Sequence, residues 1–594
     1  MSDSVQQALN SKMDEEDQKV LKEVGTFLFT ANSGRRRGLT VEQLLEMPNR
    51  TEHDLNIDFN PSTVIPGPSQ GLSEEEVCKV IVEERTRSRR GEAAMYWEEI
   101  QDEIAKNDPE LAKDVRGINF VLPRVMSGQG ISDFRTNVVL LSNAEDCARI
   151  AKNHVRKQPN FTGIFAQSVI ATTDNDHWKK QRSHLNEVFL PKMSLAKIFP
   201  RSLSRAEKCA DVMKELSNNA GEYGVNCHDF FLHEAQAQLQ LALFGMDEEF
   251  MESTNKPIRD GFAGRAPFSV VLQNTVQMMR AVSKNEDFAA ASDAEVISGE
   301  KPIFGPLSKS VDNAAKDLGL NVADQFGNML LILFAGHDTT AHTMTWLTYE
   351  LAHHPEYQKR VHDEVDAFFE RLDKLGRPMV YEDCDHLPFL TRCVMETLRL
   401  WTAVPNGTFR ELQYDDYVKG PGGKPTLLKK GTYVQVVNMM RQRNPTLWGA
   451  DAMEFNPDRE FREDEIWGGD TFKGYNPSSE RFSPFTFQPR DCLGKNFAQM
   501  EMRTILANLF RRFSFELSEP YKNYDRERDG PLENPAGTMG PKDLTPAGRK
   551  RTEENLNGIA GEQKAIAATA GIGGSGVIMG MWLNVHERST PSKL

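Results

Sequence analysis

The run DQFGNMLLILFAGHDTTAHTMTWLTYELAHHPE, residues 324–356, constrains the fold of this chain more than any other segment. It reads as one long apolar helix that must be buried along most of its surface. Its best uninterrupted stretch, Met329 to Phe334 followed by Ala335 and Gly336, falls well short of the roughly 18–20 apolar residues that cross a bilayer. The chain must therefore supply a core that surrounds this helix. Its middle carries Ala335, Gly336, His337, Asp338, Thr339 and Thr340. Polar side chains are costly to bury without partners, which invites a functional reading. A structural reading stands beside it, in which Thr339 bonds back to a carbonyl one turn earlier and Asp338 sits in an ion pair.

With 594 residues, of which 39% are hydrophobic and 26% charged, the chain has the make-up of a globular protein and is long enough for one dominant domain with tails. A net charge of −15 argues against general affinity for nucleic acid or anionic membranes, because both attract basic proteins. The seven cysteines, Cys78, Cys147, Cys209, Cys227, Cys384, Cys393 and Cys492, form no C-x-x-C pair. Neither a disulfide framework nor a zinc site is expected, and a reducing compartment fits. The opening MSDSVQQALNSKMDEEDQKVLKEVG has neither the apolar core of a signal peptide nor the acid-poor character of a transit peptide. With no transmembrane anchor visible, the expected location is the cytoplasm or the periphery of a membrane.

Residues 1–75 alternate short apolar runs with polar clusters and read as a polar N-terminal extension with at most short helices. Residues 76–594 form the expected catalytic domain, interrupted by an insertion or loop at about 546–571. Helical patterns begin near residue 73 and dominate from about 177 to 405, while NVVLLSN (137–143) reads as a strand feeding a helix. Between 406 and 485 the chain turns to short strands such as TYVQVVNM and Gly/Pro/Asn-rich coil, then resumes as the helix KNFAQMEMRTILANLFRRF. GVIMGMWLNVHER reads as a last strand. The expected class is mainly α with a small β lobe.

The second constellation is FSPFTFQPRDCLGKNF, a coil rich in Phe and Pro that ends in Cys492 and Gly494 just before a helix. A helix N-terminus and nearby amides favour a thiolate there, so Cys492 is placed to be an anion. Taken alone, a cysteine in this position is more often structural.

The loop resembles the haem-binding loop of the cytochrome P450 family, F-x-x-G-x-R-x-C-x-G, with Phe485, Arg490, Cys492 and Gly494 in register. It departs at Gln488, where the family has a glycine, so this residue must adopt an unusual backbone conformation or shift the loop. The central helix resembles the family's [AG]-G-x-[DE]-T-[TS], matched by Ala335, Gly336, Asp338 and Thr339. METLRLW resembles E-x-x-R through Glu396 and Arg399, with Arg459 of FNPDREF as third partner, and DNDHWKKQR resembles W-x-x-x-R through Trp178 and Arg182. These motifs stand in family order, and the resemblance covers roughly residues 115–587.

The resemblance implies the triangular helical P450 fold, with haem b held between two helices and Cys492 as axial iron ligand. Arg490, Arg182 with Trp178, and Arg410 become propionate contacts. Ala335 and Gly336 leave room for dioxygen, Asp338 and Thr339 guide its protons, and His337 faces away. The implied activity is insertion of one atom of O2 into an apolar organic substrate, with a separate NADPH-dependent reductase or ferredoxin as electron donor. A basic patch of Lys495, Arg503, Arg511 and Arg512 is the expected docking face. Substrate contacts are expected between Gln158 and Asp176, from about 228 to 275, and at Phe334 and Val404. WGADAMEFNPDREF and CLGKNFA look similar to the fatty-acid hydroxylase branch, which implies a lipid-like substrate. Two alternatives stay open: a haem-thiolate isomerase, dehydratase or reductase that does not use O2, and a non-catalytic haem sensor.

Overall fold

Asn321 starts the long helix by accepting a hydrogen bond from the amide of Asp324, and the helix then runs unbroken over Val322–His353. Its 32 residues correspond to about 48 Å at 1.5 Å per residue. From Ala323 to Ala352 nearly every position is buried, polar ones included, as an all-round apolar helix requires. In the computed structural model, which describes residues 15–29, 39–50, 59–89, 93–128, 131–221, 224–262, 266, 268–284, 305–466, 473–518, 532–533, 542–543 and 581–589, this helix is the axis of the molecule. Around it pack the helices Cys227–Gln238, Phe268–Lys284 and Pro388–Leu400 and the strand Phe513–Leu517. Gly327 lets the backbone of Phe165 approach, since a Cβ there would meet Phe165 O at 2.2 Å.

The helical body carries the main hydrophobic core, and among the described residues four small sheets accompany it, the largest of four and three strands. In the first sheet, Phe120–Gly128 and Ile131–Leu141 form an antiparallel pair. The second of these strands runs parallel to Tyr433–Val436, which pairs antiparallel with Thr408–Glu411. The strand expected at 137–143 is therefore part of Ile131–Leu141, and Asn143 caps the helix that follows it. In the second sheet, Trp582–Glu587 lies between Val225–Asn226 and Phe513–Leu517, so the expected last strand closes onto the body. The mainly α architecture with a small β lobe is the fold observed.

The N-terminal segment departs from expectation. Residues 1–75 read as a polar extension, yet Glu15–Phe29 is a helix that packs on the central helix with Leu21 and Val24 fully buried. Arg280, on the neighbouring helix Phe268–Lys284, pairs with Glu16 and Asp17. Further along, Leu39, Leu44 and Ile65 are also buried. The acidic surface of this helix masked an apolar pair three residues apart that needs a partner. The 546–571 insertion lies outside the described residues.

Candidate functional site

The cysteine loop is closed by its own backbone, with the amide of Cys492 donating to Phe485 O at 2.9 Å. Gly494 then caps the helix Lys495–Arg512. Of the two outcomes open at Gln488, an unusual backbone or a shifted loop, the structure has the second. Thr486, two residues earlier, sits at φ 61°, and the Gln488–Pro489 bond is cis. The left-handed turn has moved within the loop, onto a β-branched residue that rarely adopts it.

Six of the seven cysteines are buried, whereas Cys492 has open surface. Protein nevertheless encloses it, so that surface faces an interior space. Burial pushes the Cys492 thiol up, with the Lys495 ammonium and the amide of Gly494 opposing. The helix terminus and amides alone do not produce the expected thiolate. A coordinated metal would supply positive charge that favours the thiolate.

The charge of the site is unusual. Arg410, on the strand Thr408–Glu411, is fully buried. Its Nη1 donates to Thr408 Oγ1 and Phe409 O at 2.6 and 3.0 Å, while Nε and Nη2 have no partner. Arg490 donates only weakly, to Thr172 O and Asn175 Oδ1 at 3.3 Å each. Its Nε and Nη1 are likewise orphaned, and its guanidinium lies 4.4 Å from the centre of the Trp178 ring. Lys157 is buried and donates to Thr408 Oγ1, its one hydrogen-bond partner among the described residues. Desolvation lowers the pKa of all three groups, to about 10 for Arg410 and about 9 for Arg490, and the Arg410 and Arg490 charges push Lys157 further down. Among the described residues no carboxylate pairs with any of them.

Buried, mutually repelling cations with free donors call for an anion. A planar group bearing two carboxylates and a metal that takes a sulfur ligand would satisfy both the cations and Cys492, and haem has that chemistry. The residues present fit it.

One expected contact differs. Trp178 and Arg182 share the helix Asn175–Asn186, as their spacing predicts, and Trp178 is buried against Arg490. Arg182, however, donates to the backbone oxygen of Asp491 and, at 2.7 Å, to its carboxylate. That makes Arg182 a brace for the cysteine loop, with its fork taken up. Lys157 was missed, because VRKQPN reads as an ordinary basic loop and only the fold brings it to Thr408.

On the central helix, Phe334, Ala335, Gly336 and Thr339 retain partial exposure between buried neighbours. Ala335 and Thr339, one turn apart, therefore face open space. Thr339 Oγ1 donates to Ala335 O at 3.0 Å, the back-bond of the structural reading. Gly336 does not simply leave room for a ligand, since a Cβ there would meet Leu239 Cδ2 at 2.8 Å. His337 is buried against Phe262 with Nδ1 on Leu333 O, and burial drops its pKa to about 4. Phe334 packs among Phe165 and Phe262, within the expected substrate regions, and Val404 is exposed.

Glu396, Arg399 and Arg459 meet as expected. Arg399 forks onto Glu396 at 2.7 and 2.8 Å, and Arg459 Nε reaches Glu396 at 3.1 Å, all buried. The expected basic docking patch loses Arg503, which is buried and donates to Cys384 O. Lys495 and Arg512 are paired with Asp491 and Asp211.

The comparisons with known proteins agree with this geometry. The family model "Cytochrome P450" matches residues 306–535. The chain is similar to rat "Cytochrome P450 4V2", at 35% identity over 36% of this chain and 39% of that protein. It is similar to "Cytochrome P450 monooxygenase sphH" of Aspergillus fumigatus, at 33% identity over 44% of this chain and 42% of that one. "7-deoxyloganic acid hydroxylase" of Catharanthus roseus aligns at 27% identity over 63% of this chain and 72% of that one. At 33–35% identity the match spans about two fifths of the relatives' length. The matched segment, residues 306–535, holds the central helix and the cysteine loop, so the part of the chain that carries most of the site is similar to the cytochrome P450 family.

Proposed function

We propose that this protein is a haem-thiolate monooxygenase that inserts one atom of O2 into an apolar, lipid-like organic substrate, using electrons from a separate NADPH-dependent reductase or ferredoxin. The observation that carries the reading is the set of three buried cations, Lys157, Arg410 and Arg490, left without a carboxylate beside a loop that opens Cys492 to the interior. Cys492 Sγ would hold the iron, while the free donors of Arg410 and Arg490, with Lys157, would take the propionates. Trp178 supports Arg490 from one side. When bound, haem supplies the activation of dioxygen that no side chain provides.

The chain's own residues supply binding, dryness and protons. Phe165, Phe262 and Phe334 make an apolar wall with ring centres 6.1 and 5.2 Å from Phe334, suited to a hydrocarbon substrate. Thr339 Oγ1 commits its proton to Ala335 O, so its lone pairs are free to accept from water and hold that water in the open space. Asp338 lies beside it as the acid. Among the described residues no helix is long and apolar enough to cross a membrane. We place the protein in the cytoplasm or at a membrane periphery.

The spectrum of the reduced carbon monoxide complex tests this reading. Wild type should show the strongly red-shifted Soret band of thiolate ligation, and Cys492→Ser should lose it. Failure to bind haem, or a nitrogen-ligated spectrum in wild type, would sink the assignment.

A further inference from the structure

Asp338 is 6% exposed, so a proton needs a route to it. The carboxylate does not stand alone: His342, one turn along the central helix, places Nδ1 3.5 Å from Asp338 Oδ2 and 2.6 Å from Asp338 O. His342 Nε2 in turn lies 3.2 Å from Nε2 of His228, at the start of the helix Cys227–Gln238. Beside His228, Asp229 pairs with Arg259 at 2.8 Å and keeps 39% of its side chain in solvent. From these distances we propose that His228 and His342 form a proton relay running from the surface near Asp229 to Asp338.

The geometry dictates which atoms carry protons. A carbonyl only accepts, so His342 Nδ1 must be the donor to Asp338 O. In the neutral ring Nε2 is then an acceptor, and the contact between the two Nε2 atoms requires His228 to donate. Every N–H therefore points along the chain toward Asp338. A proton arriving at His228 Nδ1 displaces the one on its Nε2 to His342 Nε2, and the His342 Nδ1 proton, held on Asp338 O at 2.6 Å, shifts to Asp338 Oδ2 at 3.5 Å; both rings are then in the opposite tautomer and turn over before the next proton. One proton enters, one leaves, and no bond between heavy atoms changes. Asp338, Asp229 and Arg259 are charged groups near the pair, and burial holds the pKa of His337 beside it down to about 4. Asp338 stabilises the transient imidazolium.

The relay rests on the oxygen-activating reading above and is tested on haem-loaded full-length protein. The carbon monoxide spectrum comes first, and without a thiolate band both readings fall together. With the band present, nitrogen NMR of histidine-labelled protein in that diamagnetic complex should find His342 protonated at Nδ1 alone and His228 protonated at Nε2. A proton on His342 Nε2 in place of Nδ1 overturns the relay and leaves the enzyme reading intact. The second readout is the return of reduced protein to the ferric spectrum in aerated buffer, in light and heavy water. His342→Gln keeps a donor toward Asp338 O but cannot pass a proton, so the return should slow by about tenfold or more and lose its solvent isotope effect. His228→Gln should do the same, and the double variant should be no slower than either single, because the two act in series. Wild-type rates in both variants, or slowing that adds, would overturn the proposal.

Discussion

Lys157 Nζ and Arg410 Nη1 donate to one and the same hydroxyl, Thr408 Oγ1, each at 2.6 Å. Two cations sharing a single neutral acceptor in a buried setting is unfavourable in the protein alone and becomes favourable once carboxylates arrive. The same residues should therefore oppose stability without haem and support it with haem.

Arg410→Leu and Lys157→Met should weaken haem retention while leaving the haem-free protein as stable or more stable. A charge-assisted hydrogen bond contributes about 1.5–3 kcal/mol, which corresponds to roughly ten- to hundredfold in affinity. Transfer of haem to apomyoglobin measures the first effect and thermal midpoints of the haem-free variants the second. A haem-free Arg410→Leu protein that melts well below wild type would contradict the arrangement.

Gly336 matters through Leu239. Gly336→Ala pushes a methyl to 2.8 Å from Cδ2 of Leu239, a side chain that is itself only 1% exposed, and overpacking of this kind costs about 1–3 kcal/mol. Adding Leu239→Ala should restore much of the fit around Gly336, so the double variant should lose less than the two single losses combined. Denaturant unfolding of the four proteins in this cycle reads the coupling directly; strict additivity would mean that the contact is not limiting.

The cysteine, its arginine and the central helix were legible because their chemistry is local, carried by residues a few positions apart on one loop or one helix. Lys157 was not legible, since its role arises when a loop near residue 157 meets a strand more than 250 residues later. Arg182 shows the opposite failure: its helix face was read correctly, but Asp491 captured the guanidinium. Spacing places a side chain on a face and leaves open which of two neighbouring anions it will choose. The turn at Thr486 in place of Gln488 and the burial of Arg503 have the same origin, since backbone adjustment and packing respond to the whole fold.

Glu396 gathers Arg399, Arg459 and the amide of Asn456 in a fully buried position. Removing that charge leaves the buried guanidinium of Arg399 without its counter-ion, while Arg459 keeps Asp451 at 3.0 Å, a loss of about 3–5 kcal/mol. Glu396→Gln should accumulate as poorly folded, haem-free protein, visible as a fall in the ratio of Soret to protein absorbance. Normal yield and haem content would show that the backbone carbonyls around Arg399 suffice.

Glu350 should make stability fall with rising pH. Its carboxyl is buried at the far end of the central helix, where desolvation pushes the pKa to about 8 despite the hydrogen bond it accepts from Trp401 Nε1 at 2.5 Å. The nearby Glu396 and Glu454 charges push in the same direction, and Arg399 opposes them. Below the ordinary carboxylate value of 4.5 both folded and unfolded chains hold the proton and the group has no effect. Between 4.5 and about 8 the unfolded chain releases it while the folded chain keeps it. Folding then becomes less favourable by up to about 1.4 kcal/mol per pH unit. Above about 8 both forms are ionised and the penalty levels off. Glu350→Gln keeps an acceptor for Trp401 and removes the titration, so its advantage in thermal midpoint over wild type should grow from pH 5 to pH 8 and then stay constant. A difference between the two proteins that does not change with pH would place the proton elsewhere.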